Sequence, residues 1–369
     1  MKSYQNYVLG KWVSGEGDGE KLYNAVNGEV IGTASTEGID FNEVLNYGRE
    51  VGGPQLRKMT FQERGLMLKS LALHLHSIKN RFYEYSFITG ATKLDSWIDI
   101  EGGIGNLFAN SSLRRQFPDS SIYIDGDIAP LSKGGTFIGH HIMVPREGVA
   151  LHINAFNFPI WGMLEKIAVN FMAGVPAVVK PATLTCYLTE IMVREIIASK
   201  ILPEGSLQLI TGSARGVLDY VSYQDVVTFT GSASTGKMLK SHTKLIDKAI
   251  PFNMEADSLN ASILGNDSAP GTEEYDIFIK EVLKEMTVKA GQKCTAIRRI
   301  IVPERFIDDV QNSLSEKLEK IIIGNPVLEN VKMGSLAGKV QVKEVSEKVA
   351  QLSNSQTILY GDVKKYDVM

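Results

Sequence analysis

The run GVALHINAFNFPIWGMLEKIAVNFMAGVPAVVK, Gly148 to Lys180, decides the fold class. Gly148–Ile153 is an apolar, β-prone segment. Asn154–Pro159 is a turn punctuated by Asn and Pro, and Ile160–Ala173 has the apolar content and spacing of a helix. Ala177–Val179 then reads as a second short apolar strand. The grammar continues downstream, with a helix over Thr185–Ser199, a strand over Leu207–Ile210, and a strand over Asp225–Phe229 that runs through Thr230–Thr235 into a helix from Gly236. Strands alternating with helices predict a doubly wound parallel sheet, whose ligand lies beyond the C-terminal strand ends. A nucleotide is the natural occupant of that crevice.

Upstream the reading differs. Tyr7–Val13 (YVLGKWV) is a strand, a Gly turn and a second strand, an edge hairpin followed by the glycine-rich Ser14–Glu20 loop. From Phe61 to Thr89, Leu68, Leu71, Ala72, Leu75, Ile78 and Phe82 recur at helical spacing behind a Thr60/Glu63 capping box, so one long amphipathic helix is expected. Asp95–Leu113 reads as another helix, its glycines marking close packing. Ser121–Ile128 and Thr136–Val144 read as two strands too polar for a buried parallel pair, hence an arm or bridging ribbon. His140 and His141 are adjacent, so in a strand they face opposite ways and share no metal.

The chain has 369 residues, more than one core usually serves, which suggests two domains or one large α/β unit with an appendage. Net charge is -3 with both signs scattered, so no basic face for nucleic acid or an anionic membrane is implied. Two cysteines make no disulfide framework, the N-terminus has no signal-peptide pattern, and no apolar run approaches the ~20 residues that span a bilayer. A cytoplasmic protein acting on a small molecule is expected.

Three turns at strand ends point at chemistry. FTGSASTG, Phe229–Gly236, opens a helix where backbone N–H groups and the helix dipole suit a pyrophosphate, with Gly231 and Ser232 as contacts. It lacks the GxGxxG spacing, and Ser232 capping a helix without ligand is an equal reading. In VKPAT, Val179–Thr183, Lys180 either reaches ribose hydroxyls or a phosphate or simply extends to solvent. In NAFNFPIW, Asn154–Trp161, Asn157 is either a loop staple or an oxyanion donor. A fourth stretch, KAGQKCTAIRR, sets Cys294 among Lys289, Lys293, Arg298 and Arg299, a field that would favour a thiolate nucleophile; a small buried thiol is the commoner fate of a lone cysteine.

Taken in order, FNFP (Phe156–Pro159), VKPA (Val179–Ala182), FTGS (Phe229–Ser232), Glu255 and GQKC (Gly291–Cys294) resemble the aldehyde dehydrogenase family, across essentially the whole chain. HINAFNFPIWGMLEKIA and VKPATLTCYLTE look most similar to the aldehyde dehydrogenase part of the bifunctional ring-opening protein of phenylacetate degradation. The resemblance implies a dinucleotide-binding domain over 1–118 and 142–250, a bridging or oligomerisation β arm over 119–141, and a second α/β catalytic domain over 251–369. It implies that Cys294 attacks the aldehyde carbon, that Asn157 and the Cys294 N–H hold the oxyanion, and that Glu255, near Cys294 in space, activates the hydrolytic water. Glu255 could be a solvated surface residue, but in PFNMEADSLN it ends an apolar stretch, which favours a partly buried site. Ala155, Phe156, Lys180, Thr183, Phe229, Gly231 and Ser232 fall at cofactor-contact positions. Where NAD-preferring members carry a ribose-chelating glutamate this chain has Thr183, which favours NADP over NAD. The implied substrate is an aldehyde, free or linked to coenzyme A, a semialdehyde of aromatic catabolism.

The family's C-terminal portion, with its Glu-x-Phe-Gly-Pro motif and dimerising strand, and the hydratase domain fused in the resembled branch, have no counterpart before Met369. A truncated chain is therefore expected, homo-oligomeric at full length, with an uncovered sheet edge at GDVKKYDVM. The rival readings are a nucleotide-binding fragment without turnover, and a dehydrogenase that acylates coenzyme A, which Glu255 disfavours.

Overall fold

A computed structural model of the chain describes residues 1–354. Two compact units are present: 1–21, 32–82 and 99–256 in the first, and 22–31, 83–98 and 257 onward in the second.

The first unit is built on a seven-stranded sheet, in the order Phe252–Ala256, Val226–Gly231, Ala150–Ile153, Ala177–Lys180, Leu207–Leu209, Asn6–Val8, Lys11–Val13. The first five strands are parallel, and the Asn6–Val13 hairpin closes the far edge antiparallel, as its sequence predicts. Val149, Leu151, Val178 and Val227 are fully buried, as befits a parallel sheet covered on both faces. Each such side chain contributes roughly 1.5–3 kcal/mol by leaving water. The sheet is tied at its entry by Asp225, whose buried carboxylate accepts the Val149 and Ser222 N–H groups (2.8 and 2.7 Å) and pairs with Arg49.

The helix Pro159–Met172 starts at a proline whose missing N–H would be unsatisfied there anyway, and buries Ile160, Met163, Leu164, Ile167, Ala168 and Phe171. Lys93–Ser112 runs past its start. A Cβ at Gly102 would lie 2.2 Å from the Trp161 ring and one at Gly103 3.1 Å from the Trp161 backbone, so these two glycines mark close packing, while Gly105 faces open space.

Three expectations change. The predicted long helix breaks into Phe61–Ser77 and Asn80–Phe87, because Ile78 leaves helical geometry (φ -112, ψ 8); the Thr60/Glu63 capping box is formed. The expected boundary after 250 lies at Ala256 instead, since Phe252–Ala256 pairs with Val226–Gly231 as the edge strand of the first unit's sheet, and residues 22–31 and 83–98 join the second unit. The arm strands are Tyr123–Pro130 and Ile138–Met143, an antiparallel ribbon whose Ile124, Ile128, Ile138, Ile142 and Met143 are exposed and apolar.

The second unit holds its own βαβ element: Asn260–Ile263 and Ile297–Ile301 pair in parallel, joined through Glu273–Thr287. Tyr275, Phe278, Ile279 and Val282 pack there with Phe306, Val310 and Leu314 from the following helix, Ile307–Glu319. Residues 355–369 of the expected catalytic domain, with the expected open edge, lie outside the described residues. Among the described residues, no helix is long and apolar enough to cross a membrane.

Candidate active site

Register fixes the site in the first unit. His152 stands opposite Thr228, which stands opposite Asn253; Ile153 opposite Phe229 and Lys180; Thr230 opposite Glu255. Side chains alternate along a strand, so His152, Thr228 and Asn253 share a face with Asn154, Thr230 and Glu255. Between this face and the helix Pro159–Met172 lies an open cleft of about 370 Å³, lined by His152, Thr228, Thr230, Asn253 and Glu255 and also by Asn106, Asn110, Glu165, Lys166 and Asn170.

Lys166 crosses the cleft. Its Nζ donates to Asn154 Oδ1 and Thr230 Oγ1, both at 2.9 Å, and lies 3.7 Å from Glu165. Burial pushes its pKa down, opposed by the carboxylates of Glu165 and Glu255. Glu165 is steadied by the Trp161 indole N–H (2.8 Å), and the Trp161 backbone N–H by Asp99 (2.7 Å). His152 is fully enclosed. Asn170 Nδ2 lies 2.8 Å from its Nε2, and Thr228 Oγ1 lies 2.6 Å from Nδ1. With Asn170 donating, the ring proton sits on Nδ1, and burial beside Lys166 pushes the imidazole pKa down to about 3. Asn154 Nδ2 is buried with no hydrogen-bond partner among the described residues.

The sequence-predicted residues take these places. Asn157 sits half-buried in the turn after Ala150–Ile153, beside Ala155 and Phe156, whose carbonyl accepts from Thr185 Oγ1 (3.2 Å). Lys180 ends the next strand with its ammonium folded onto the Pro181 carbonyl (2.6 Å) and Thr183 Oγ1 (3.2 Å), and burial brings its pKa down to about 8. Phe229 is buried under Gly231, where a Cβ would meet its ring at 2.6 Å. Ser232 caps the helix Ala233–Lys240 through the Thr235 N–H. Glu255 is exposed, not partly buried as its apolar approach suggested, because it lies on the outermost strand of the sheet.

Cys294 belongs to the second unit and is exposed, while Cys186 is buried with its thiol pushed up to about 12. The turn before Cys294 runs through the left-handed region at Lys289, Ala290 and Gly291 (φ 54, 52 and 71), which costs of order 1–3 kcal/mol per non-glycine residue. It is held by Asp95, which accepts the Lys289 N–H (2.7 Å) on one oxygen and the Thr92 N–H and hydroxyl (2.8 Å each) on the other. The expected cationic field is largely engaged elsewhere. Lys289 Nζ donates to Thr89, Lys293 pairs with Glu285, Arg298 donates to the Gly291 carbonyl and Arg299 to the Leu259 carbonyl.

The aldehyde dehydrogenase family model matches residues 12–367. The chain belongs to the aldehyde dehydrogenase family. The 3,4-dehydroadipyl-CoA semialdehyde dehydrogenase of Aromatoleum evansii is 39% identical over 96% of this chain and 69% of its own length. Among solved structures, 3,6-anhydro-L-galactose dehydrogenase in complex with NAP superposes with TM-score 0.85 at 23% identity (98% of this chain, 73% of that one). Betaine aldehyde dehydrogenase of Staphylococcus aureus in complex with NAD+ gives 0.84 at 21% (97% and 70%). At such identities the structures establish the aldehyde dehydrogenase fold.

Sequence reading missed the His152–Asn154–Lys166–Thr230 cluster. Its signal was there: polar residues two apart in LHIN, TFT and NME, on strands otherwise apolar. Because the folded-state pKa of His152 is depressed, unfolded protein takes the proton first as pH falls below about 6.5, so the native state loses stability from there toward pH 3. Urea unfolding at pH 5 should show a loss of about 2 kcal/mol relative to pH 7 from this group, absent in His152→Gln.

Proposed function

We propose that this aldehyde dehydrogenase oxidises a coenzyme A-linked semialdehyde of aromatic-acid catabolism to the carboxylate, with NADP ahead of NAD. The observation that carries the substrate class is the 39% identity, over nearly the whole chain, to a 3,4-dehydroadipyl-CoA semialdehyde dehydrogenase. For the chemistry it is the exposed thiol of Cys294 set against the buried one of Cys186.

The residues fit a dinucleotide. Lys180, Thr183 and the Gly231–Ser232 turn follow the C-terminal ends of parallel strands, with an ammonium, hydroxyls and a helix N-terminus as the donor set. Lys180 and Thr183 would hold the adenosine ribose, Gly231 and Ser232 the pyrophosphate, with Phe229, Ala155 and Phe156 shaping the crevice. NAD(P), when bound, supplies the acceptor for the two electrons leaving the aldehyde carbon.

The chain's own groups do the rest. The Cys294 thiolate attacks the aldehyde carbon, Asn157 Nδ2 and the Cys294 N–H hold the oxyanion, and the oxidised carbon remains as a thioester on sulfur. Glu255 takes a proton from water, which attacks the thioester, expels the thiolate and leaves the carboxylate. The β arm at 119–141 serves assembly of the oligomer.

Cys294→Ala should abolish aldehyde oxidation while leaving cofactor affinity nearly unchanged; retained turnover would remove Cys294 from the chemistry. Glu255→Gln should keep a burst of reduced cofactor about equal to the sites while steady-state turnover falls by roughly 100-fold, because only deacylation needs the base.

For the cofactor, Thr183 presents no carboxylate to repel a 2'-phosphate, and Lys180 attracts it. NADP should therefore exceed NAD in kcat/KM, the preference should reverse in Thr183→Glu, and it should weaken as pH rises through about 8, where Lys180 loses its charge. A ratio unmoved by both changes takes the pair out of the ribose site.

A further inference from the structure

The residues flanking Cys294 are both held by one side chain. Glu285, on the last turns of the helix Glu273–Thr287, accepts Lys293 Nζ on Oε1 at 2.7 Å and the Thr295 hydroxyl on Oε2 at 3.2 Å. The ion pair is largely withdrawn from water, with side-chain exposures of 14% for Lys293 and 17% for Glu285. Between these anchors the Cys294 carbonyl accepts the Ser258 hydroxyl (2.6 Å) and Asn260 Nδ2 (2.7 Å). Asn260 Nδ2 also reaches the Ala296 carbonyl at 3.2 Å. Lys293, Cys294 and Thr295 are thus each fastened, and Cys294, which carries the thiol, is exposed.

We infer that Glu285 is a positioning residue for Cys294, its carboxylate fastening the residue on either side of the thiol and masking the charge of Lys293 from it. The inference deepens the proposed role of Cys294 and rests on that reading for its catalytic meaning. A lysine adjacent in sequence to a thiol would stabilise the thiolate if left free. Pairing with Glu285 offsets that positive charge. The remaining charges on the surrounding elements are engaged or common to every variant. Lys284 pairs with Glu281, Lys289 Nζ donates to Thr89, and Arg298 and Arg299 donate to backbone carbonyls; Asp257, next to Ser258, is unaltered.

The test needs no turnover. Iodoacetamide is reacted with the full chain from pH 6 to 10, and peptide mapping assigns the label; the buried Cys186, with its thiol near 12, stays silent. Glu285→Gln removes the carboxylate charge and releases Lys293, so the Cys294 rate at pH 7 should rise about threefold or more while the high-pH plateau is kept. Lys293→Ala leaves the carboxylate unmatched beside the thiol, and the rate at pH 7 should fall by a similar factor. Opposite signs in the two variants support the inference, since loosening of the fold would move both the same way. If Glu285→Gln does not fold, Lys293→Ala alone decides: a slower rate supports it, an unchanged or faster one overturns it. Superimposable profiles, or shifts of the same sign, also overturn it. The separate failure of Cys294 as the oxidising nucleophile would appear as aldehyde oxidation surviving in Cys294→Ala, an outcome independent of these alkylation profiles.

Discussion

The register of four parallel strands is the constraint on which the first unit depends. Ile153 opposite Lys180 and Phe229, and Thr230 opposite Glu255, put the Asn154–Phe158, Lys180–Thr183 and Gly231–Ser232 turns at one edge of one sheet. A slip of one residue would send His152, Asn154, Thr228 and Thr230 to the opposite face and bury Ile153 and Phe229 where the polar cleft stands. The register is held by apolar burial along Val149, Leu151, Val178 and Val227, and by Asp225, which accepts two backbone N–H groups where the strands begin. Fold and candidate site therefore rest on the same hydrogen-bond ladder.

Lys166 shows how that ladder becomes electrostatics. An ammonium inside a cavity is costly unless its donors are met, and here Asn154, just past the end of one strand, and Thr230, on the next, meet two of them. The neighbouring imidazole of His152 stays neutral because burial and the Lys166 charge both disfavour a second cation. The result is a polar site in which one buried ammonium, Lys166, faces the carboxylates of Glu165 and Glu255.

The second unit solves a different problem, holding an exposed thiol still. Its turn contains two non-glycine residues in the left-handed region, and the unfavourable backbone is offset by a buried carboxylate, Asp95, that accepts three donors. Downstream, the anchors are side chains on carbonyls and hydroxyls, so the thiol's surroundings are set by which charges are already matched. Of the four basic residues near the cysteine in the sequence, Lys293 is matched by Glu285, Lys289 is directed to Thr89, and Arg298 and Arg299 to backbone carbonyls.

Sequence alone determined the architecture, because strand, turn and helix periodicities are local properties, and FNFP, VKPA, FTGS and GQKC sit at turns whose chemistry is local too. It also located Cys294, Asn157, Lys180 and Ser232 on their turns. Tertiary structure decided what depends on pairing between distant segments: that Phe252–Ala256 belongs to the first sheet, that Glu255 is exposed on its outermost strand, and that His152, Asn154, Lys166 and Thr230 form one cluster. Asp95 closing on Lys289, and Glu285 on Lys293 and Thr295, are of the same kind. Side-chain partners across a fold are chosen by register and packing, and neither is written in the spacing of residues along a single element.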